Sequence, residues 1–147
     1  MTCRSSNRSG MHDFHIHWAT VVAGTAAYFV LGAIWYGLFA GPWVRALGST
    51  REEIREDDVR WIYLVQLLST FVLVLLSSWV LHDLFHVDAI GEGVVGGLVL
   101  GVIASLASSG DFLYESRRRS VPLYLINSGY RVLGLTVLGV IVAALGE

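Results

Sequence analysis

Four stretches of this chain, each about twenty residues long and almost free of charge, leave it few ways to fold. They run roughly from Trp18 to Phe39, Trp61 to His82, Ile90 to Gly110 and Pro122 to Leu145. About 20 apolar residues in a helix cross a ~30 Å hydrocarbon layer. Inside that layer each backbone N–H and C=O must be satisfied within the protein, which a helix does locally. The predicted fold class is therefore an all-α membrane protein, with four transmembrane helices in an antiparallel bundle. Composition agrees: 54% of the 147 residues are hydrophobic and 15% charged, too apolar a balance for a soluble domain of this size.

The connectors set an expected orientation. Arg45, Arg51, Arg55 and Arg60 lie in or beside the first connector and Arg117, Arg118 and Arg119 in the third, whereas the N-terminal tail holds only Arg4 and Arg8. Arginine accumulates on the cytoplasmic side. Connectors one and three are then cytoplasmic and both termini lie outside. Within the first connector, "STREEIREDD" (Ser49 to Asp58) carries Thr50 and Glu53 at capping-box spacing, which predicts a short cytoplasmic helix between the first and second spans. Residues 1–14 read as a disordered tail with Met11 as a second candidate start, leaving residues 15–147 as the transmembrane domain. The first span exceeds a signal-peptide core and lacks a small-residue cleavage site, so it reads as a mature helix. Cys3 is the only cysteine, so neither an intrachain disulfide nor a thiolate metal site can form.

Two patterns bear on packing. Gly93, Gly97 and Gly101 recur every four residues on the third span and are continued by Ser105 and Ser109. Such a small-residue face lets helix backbones approach closely. Its partner is either another helix of the same chain or the same helix of a second subunit, a homodimer. The other pattern is polar: Arg131 falls about ten residues into the fourth span, ~15 Å from its start. A charge at the bilayer centre costs about 2.5–3.5 kcal/mol on insertion scales and such residues usually face the bundle interior. Tyr28, Thr70, Ser105, Ser108, Asn127, Tyr130 and, at the inner end, Asp111 could line the bundle with it. The expectation is that Arg131 points inward, held by Asn127, Tyr130 and polar atoms of the second and third helices.

All five histidines fall on the predicted outer side. His82 and His86 sit at i, i+4, and His15 and His17 could add ligands from the tail. Imidazoles at that spacing can chelate zinc or copper. With no catalytic Glu between them they form no metalloprotease signature, and a surface role is the simpler expectation.

The stretch "AAYFVLGAIWYGLFAGPWVRALG" resembles the first-helix signature of the bacterial membrane-protein family known as domain of unknown function 1761. "LINSGYRVLGLTVLGVI" is similar to that family's last-helix signature. Gly32, Trp35, Tyr36, Trp43, Asn127, Gly129 and Tyr130 match by position, while Pro42 stands later than the proline that often follows Trp-Tyr in the family. The resemblance implies a small multi-pass protein of a bacterial inner membrane without an assigned activity, so no catalytic residue carries over.

No P-loop, serine elbow, dinucleotide fingerprint or paired carboxylates occur, and no basic stripe suggests nucleic acid. The chain reads as a non-enzyme with membrane lipids as partners and no cofactor. A structural or accessory membrane subunit is the first reading. A homodimeric transporter or channel for a small anion, with Arg131 in a wet vestibule, is the second, and an intramembrane enzyme the third.

Overall fold

The computed structural model describes residues 18–48, 60–110 and 120–145. Among the described residues five α-helices follow one another: α1 (Trp18–Leu38), α2 (Ala40–Leu47), α3 (Arg60–Trp79), α4 (Ile90–Ala107) and α5 (Val121–Leu145), with a π-helical turn over Val80–Leu84 extending α3. The same residues contain no strand. Four helical stretches among them are long and apolar enough to cross a membrane: Trp18–Leu38, Tyr63–Asp83, Ile90–Ala107 and Val121–Leu145.

The segment from Ser49 to Asp58, where a short helix was expected, lies outside the described residues. A further short helix, α2, forms from "AGPWVRAL" immediately after α1. Phe39 is the only residue between them, and its carbonyl accepts the Trp43 N–H at 2.9 Å. Pro42 fits here because the first-turn N–H groups of a helix have no intrahelical acceptor. Gly48 ends α2 with φ 63°, a left-handed conformation that glycine adopts without a Cβ clash, and its N–H returns to the Arg45 carbonyl at 3.0 Å.

The other ends have local causes too. The Phe85 N–H bonds to the Val80 carbonyl at 3.1 Å and the Val87 N–H to the Leu81 carbonyl at 3.1 Å, a widened turn that closes with His86 at φ 49°. At the start of α4, the Glu92 carboxylate accepts the backbone N–H groups of Asp88 and Ala89 at 3.2 and 3.4 Å. These are donors a helix N-terminus would otherwise leave unpaired.

The core centres on α5. Along α1 residue numbers rise as they fall along α5: the Thr20 hydroxyl donates to the Leu145 carbonyl at 3.2 Å, Gly24 abuts Leu138, Gly134 abuts Tyr28 and Gly32 abuts Tyr130. α4 meets α5 the same way, Gly93 against Gly139, Gly97 against Leu135 and Thr136, Gly101 against Val132. The glycine face is therefore filled by α5 of the same chain. All three glycines are buried, and a Cβ on Gly93 or Gly97 would run into a backbone carbonyl oxygen of α5. α3 packs mainly on α1, through the buried stripe Thr70, Val74, Ser78 and Leu81, and its end reaches α4 where Leu81 abuts Gly96.

Backbone cannot rotate away as a side chain can, so even Gly97→Ala should destabilise the fold, by about 1–3 kcal/mol. Gly97→Leu should do more damage. Gly91→Ala has open space around the new Cβ and should stay within about 0.5 kcal/mol. Unfolding in mixed detergent micelles measures all three; equal stability of Gly97→Ala and Gly91→Ala would contradict the close α4–α5 contact.

Candidate functional site

The polar residues of the spans converge on the half of the bundle where α1 ends and α5 begins. In α1, Gly32, Trp35 and Tyr36 lie at i, i+3 and i+4, and therefore on one helical face. In α5, Ile126, Asn127, Gly129 and Tyr130 occupy the facing turn. The Trp35 Nε1–H donates to the Ile126 carbonyl at 3.0 Å, and the Tyr36 hydroxyl donates to Asn127 Oδ1 at 3.0 Å. The Tyr130 hydroxyl donates to the Tyr28 carbonyl at 3.1 Å.

Glycines make the fit possible. A Cβ on Gly32 would lie 2.9 Å from the Tyr130 hydroxyl, and one on Gly129 would lie 2.9 Å from the Trp35 ring. Each motif thus supplies a glycine notch for the other's aromatic. The rings also meet one another: Tyr28 and Tyr130 edge to face at 5.0 Å, Tyr36 and Tyr130 at 5.3 Å, and Tyr36 and Trp43 of α2 at 5.8 Å. Aromatic pairs in such tilted arrangements add about 0.5–1.5 kcal/mol each beyond burial.

A second set of bonds joins α4 to α5. The Ser105 hydroxyl donates to the Gly101 carbonyl at 2.8 Å and reaches the Ser128 carbonyl at 3.3 Å. The Tyr124 hydroxyl donates to the Ser105 carbonyl at 3.0 Å, and the Ser108 hydroxyl donates to the same carbonyl at 2.9 Å. Arg131 donates from Nη1 to the Ser108 hydroxyl oxygen.

The arrangement differs from the expectation in three respects. Asn127 and Tyr130 are not bonded to Arg131; Asn127 Oδ1 and the Tyr130 hydroxyl are engaged by α1, because the α5 face they share is divided between α1 and α4. Thr70 is buried on α3, where the Gln66 amide donates to its hydroxyl at 3.4 Å, and among the described residues Arg131 bonds only to α4. Finally, the Arg131 charge does not lie at the depth of its Cα: the side chain runs back along the bundle to Ser108, at the end of α4. Asp111 lies outside the described residues. The Trp35–Ile126 bond was missed from sequence, since a backbone carbonyl as acceptor leaves no trace in residue identities.

Of the histidines, His82 and His86 do not share one regular α-helical face. His15 and His17 lie outside the described residues. His82 sits in the π-helical turn with Nδ1 3.8 Å from Asp83 Oδ1, whereas His86 lies beyond it in a left-handed conformation. The i, i+4 face assumed for an α-helix ends before His86. No group of three or more metal-ligating side chains occurs among the described residues.

The two motifs that meet here are those whose resemblance to a family was noted, and the whole-chain comparison agrees. Residues 19–143 match the family model described as protein of unknown function, DUF1761, and the chain belongs to that family. No curated protein and no solved structure matches it.

If the motifs act as one interlock, Tyr36 and Asn127 should be energetically coupled. In a double-mutant cycle with Tyr36→Phe and Asn127→Leu, the single variants should each lose about 0.5–2 kcal/mol and the pair should lose less than their sum. Unfolding in mixed micelles gives the coupling energy; strict additivity would show that the hydrogen bond contributes nothing.

Proposed function

We propose that this chain is a non-catalytic structural or accessory subunit of a bacterial inner membrane. Its antiparallel four-helix bundle crosses with both termini outside and the first and third connectors in the cytoplasm. One observation carries the reading: the polar groups supplied by the two signature motifs bond within the chain, Tyr36 to Asn127, Trp35 to the Ile126 carbonyl and Tyr130 to the Tyr28 carbonyl. A solute path needs such groups to face water or the permeating ion. Here they fix the position of α1 against α5, work suited to a scaffold.

The partners of such a subunit are membrane lipids and another membrane-embedded surface. A homodimer through α4 would use the exposed Val95, Leu98 and Val102 side, since the glycine side is filled by α5.

Two measurements test the reading. Reconstituted into vesicles, the chain should pass chloride or phosphate no faster than empty vesicles do; a flux abolished by Arg131→Gln would replace the accessory role with transport. For orientation, Cys3 should react with a membrane-impermeant maleimide in intact spheroplasts. In a Cys3→Ser background, a cysteine introduced by Ser120→Cys should react only after lysis, and the reverse pattern would invert the topology.

A further inference from the structure

Arg131 is a polar residue of α5 that the interlock leaves largely unused. A guanidinium carries five N–H donors, and among the described residues one of them is engaged, by Ser108. The residue is half-buried, and none of its nitrogens is among the buried atoms left without a partner, so the remaining donors have an open side.

The depth of that open side follows from its neighbours. Ser105 bonds to the Ser128 carbonyl, and Ser108 lies three residues further toward the end of α4. At 1.5 Å per residue the guanidinium is thus level with Leu125, about 6 Å from the first residue of α5 and well short of the bilayer centre. A long cationic side chain placed this way brings its charge to the boundary between acyl chains and headgroups.

What covers the site from the side also follows. α3 shields the bundle through Thr70, Val74, Ser78 and Leu81, all buried, whereas Trp61 and every residue from Tyr63 to Ser69 are exposed. The half of α5 that carries Arg131 is therefore not closed over by α3. The exposed residues of α4 and α5 at that level and deeper are apolar, Leu125, Leu106 and Ile103 among them. This combines a cation at headgroup depth with apolar walls at acyl-chain depth.

We infer that the Arg131 guanidinium binds the phosphate of an anionic phospholipid, taken laterally from the leaflet at the α2 end of the bundle. The planar fork of donors matches phosphate oxygens, and the interaction is strengthened by both charges. Inorganic phosphate offers the same oxygens, but it has no acyl chains for the exposed Leu106 and Ile103 of α4. The lipid is thus the source chosen. The inference stands apart from the accessory role: the flux assay tests that role, and lipid binding does not enter it.

The test uses the full chain in mild detergent, with bound lipid resolved by native mass spectrometry during titration with phosphatidylglycerol or phosphatidylcholine. Wild-type protein should bind phosphatidylglycerol saturably and in preference to phosphatidylcholine. Arg131→Gln should weaken the former about tenfold, the effect of one charge-assisted hydrogen bond, and remove the preference. Arg45→Gln, which removes an exposed arginine of α2, should leave both unchanged. If Arg131→Gln lacks wild-type helix content, Arg131→Lys decides instead: it keeps the charge, loses the fork and should bind phosphatidylglycerol more weakly. Unchanged affinity in the deciding variant overturns the proposal. So does full displacement of the lipid by millimolar inorganic phosphate at constant ionic strength, which would make this a site for a free anion.

Discussion

Contact between the backbones of α4 and α5 is the constraint from which the rest of this structure follows. In lipid there is no hydrophobic reason for one apolar helix to seek another, so association depends on van der Waals packing and interhelical hydrogen bonds. Gly93, Gly97 and Gly101 remove the side chains that would hold the helices apart, and Gly139 does the same from the α5 side. Once α5 is seated this closely, Ser105 can reach the Ser128 carbonyl and Tyr124 the Ser105 carbonyl. α5 then has another face free for α1, and its buried residues Leu135, Leu138, Val142 and Ala143 form much of the core.

The α1–α5 contact works differently, because its aromatics are large. Here glycines accept rings: Gly32 receives Tyr130, Gly129 receives Trp35 and Gly134 receives Tyr28. A hydrogen bond accompanies two of these insertions, from Trp35 and Tyr130 to opposing carbonyls, so a slip of one residue would both clash and leave these donors unpaired. That gives a physical reason for Gly-x-x-Trp-Tyr and Asn-x-Gly-Tyr to occur together in one chain. They are two halves of one contact, and membership of the DUF1761 family is consistent with a fold defined by it.

What was legible in the sequence divides along the same line. The four spans were, because hydropathy over twenty residues depends on nothing outside the segment, and the glycine face was, because its four-residue spacing is a property of one helix. The partner of that face was not, since Gly93 carries no record of whether Gly139 or a second copy opposes it. That Asn127 and Arg131, four residues apart, lie on one side of a helix was legible from spacing alone. The inference that they share one environment failed, because one stripe of α5 is divided between two neighbours. His82 and His86 misled for a related reason: i, i+4 places side chains together only while the helix remains α-helical, and the turn at Val80–Leu84 ends that regularity. The helix α2 was overlooked because attention went to the charged segment after it, although Pro42 near its start and Gly48 just past its end mark it.

Arg131 shows how backbone depth and charge depth separate. Read from its Cα, about 15 Å along α5, it is a buried cation in search of a counter-charge. Read from its guanidinium, it is a boundary cation anchored to a serine hydroxyl just past the end of α4. The second reading removes most of the insertion cost that made the residue look like the floor of a pore, since the cost falls steeply as the charge leaves the bilayer centre. It also accounts for the division of labour on α5: Asn127 and Tyr130 turn toward α1, while Arg131, one helical turn past Asn127 and four residues before Leu135, follows α4 outward. A helix that must satisfy a tight backbone contact on one side and an aromatic interlock on another keeps little surface for a charge, and the direction left to it is along the axis, toward the headgroups.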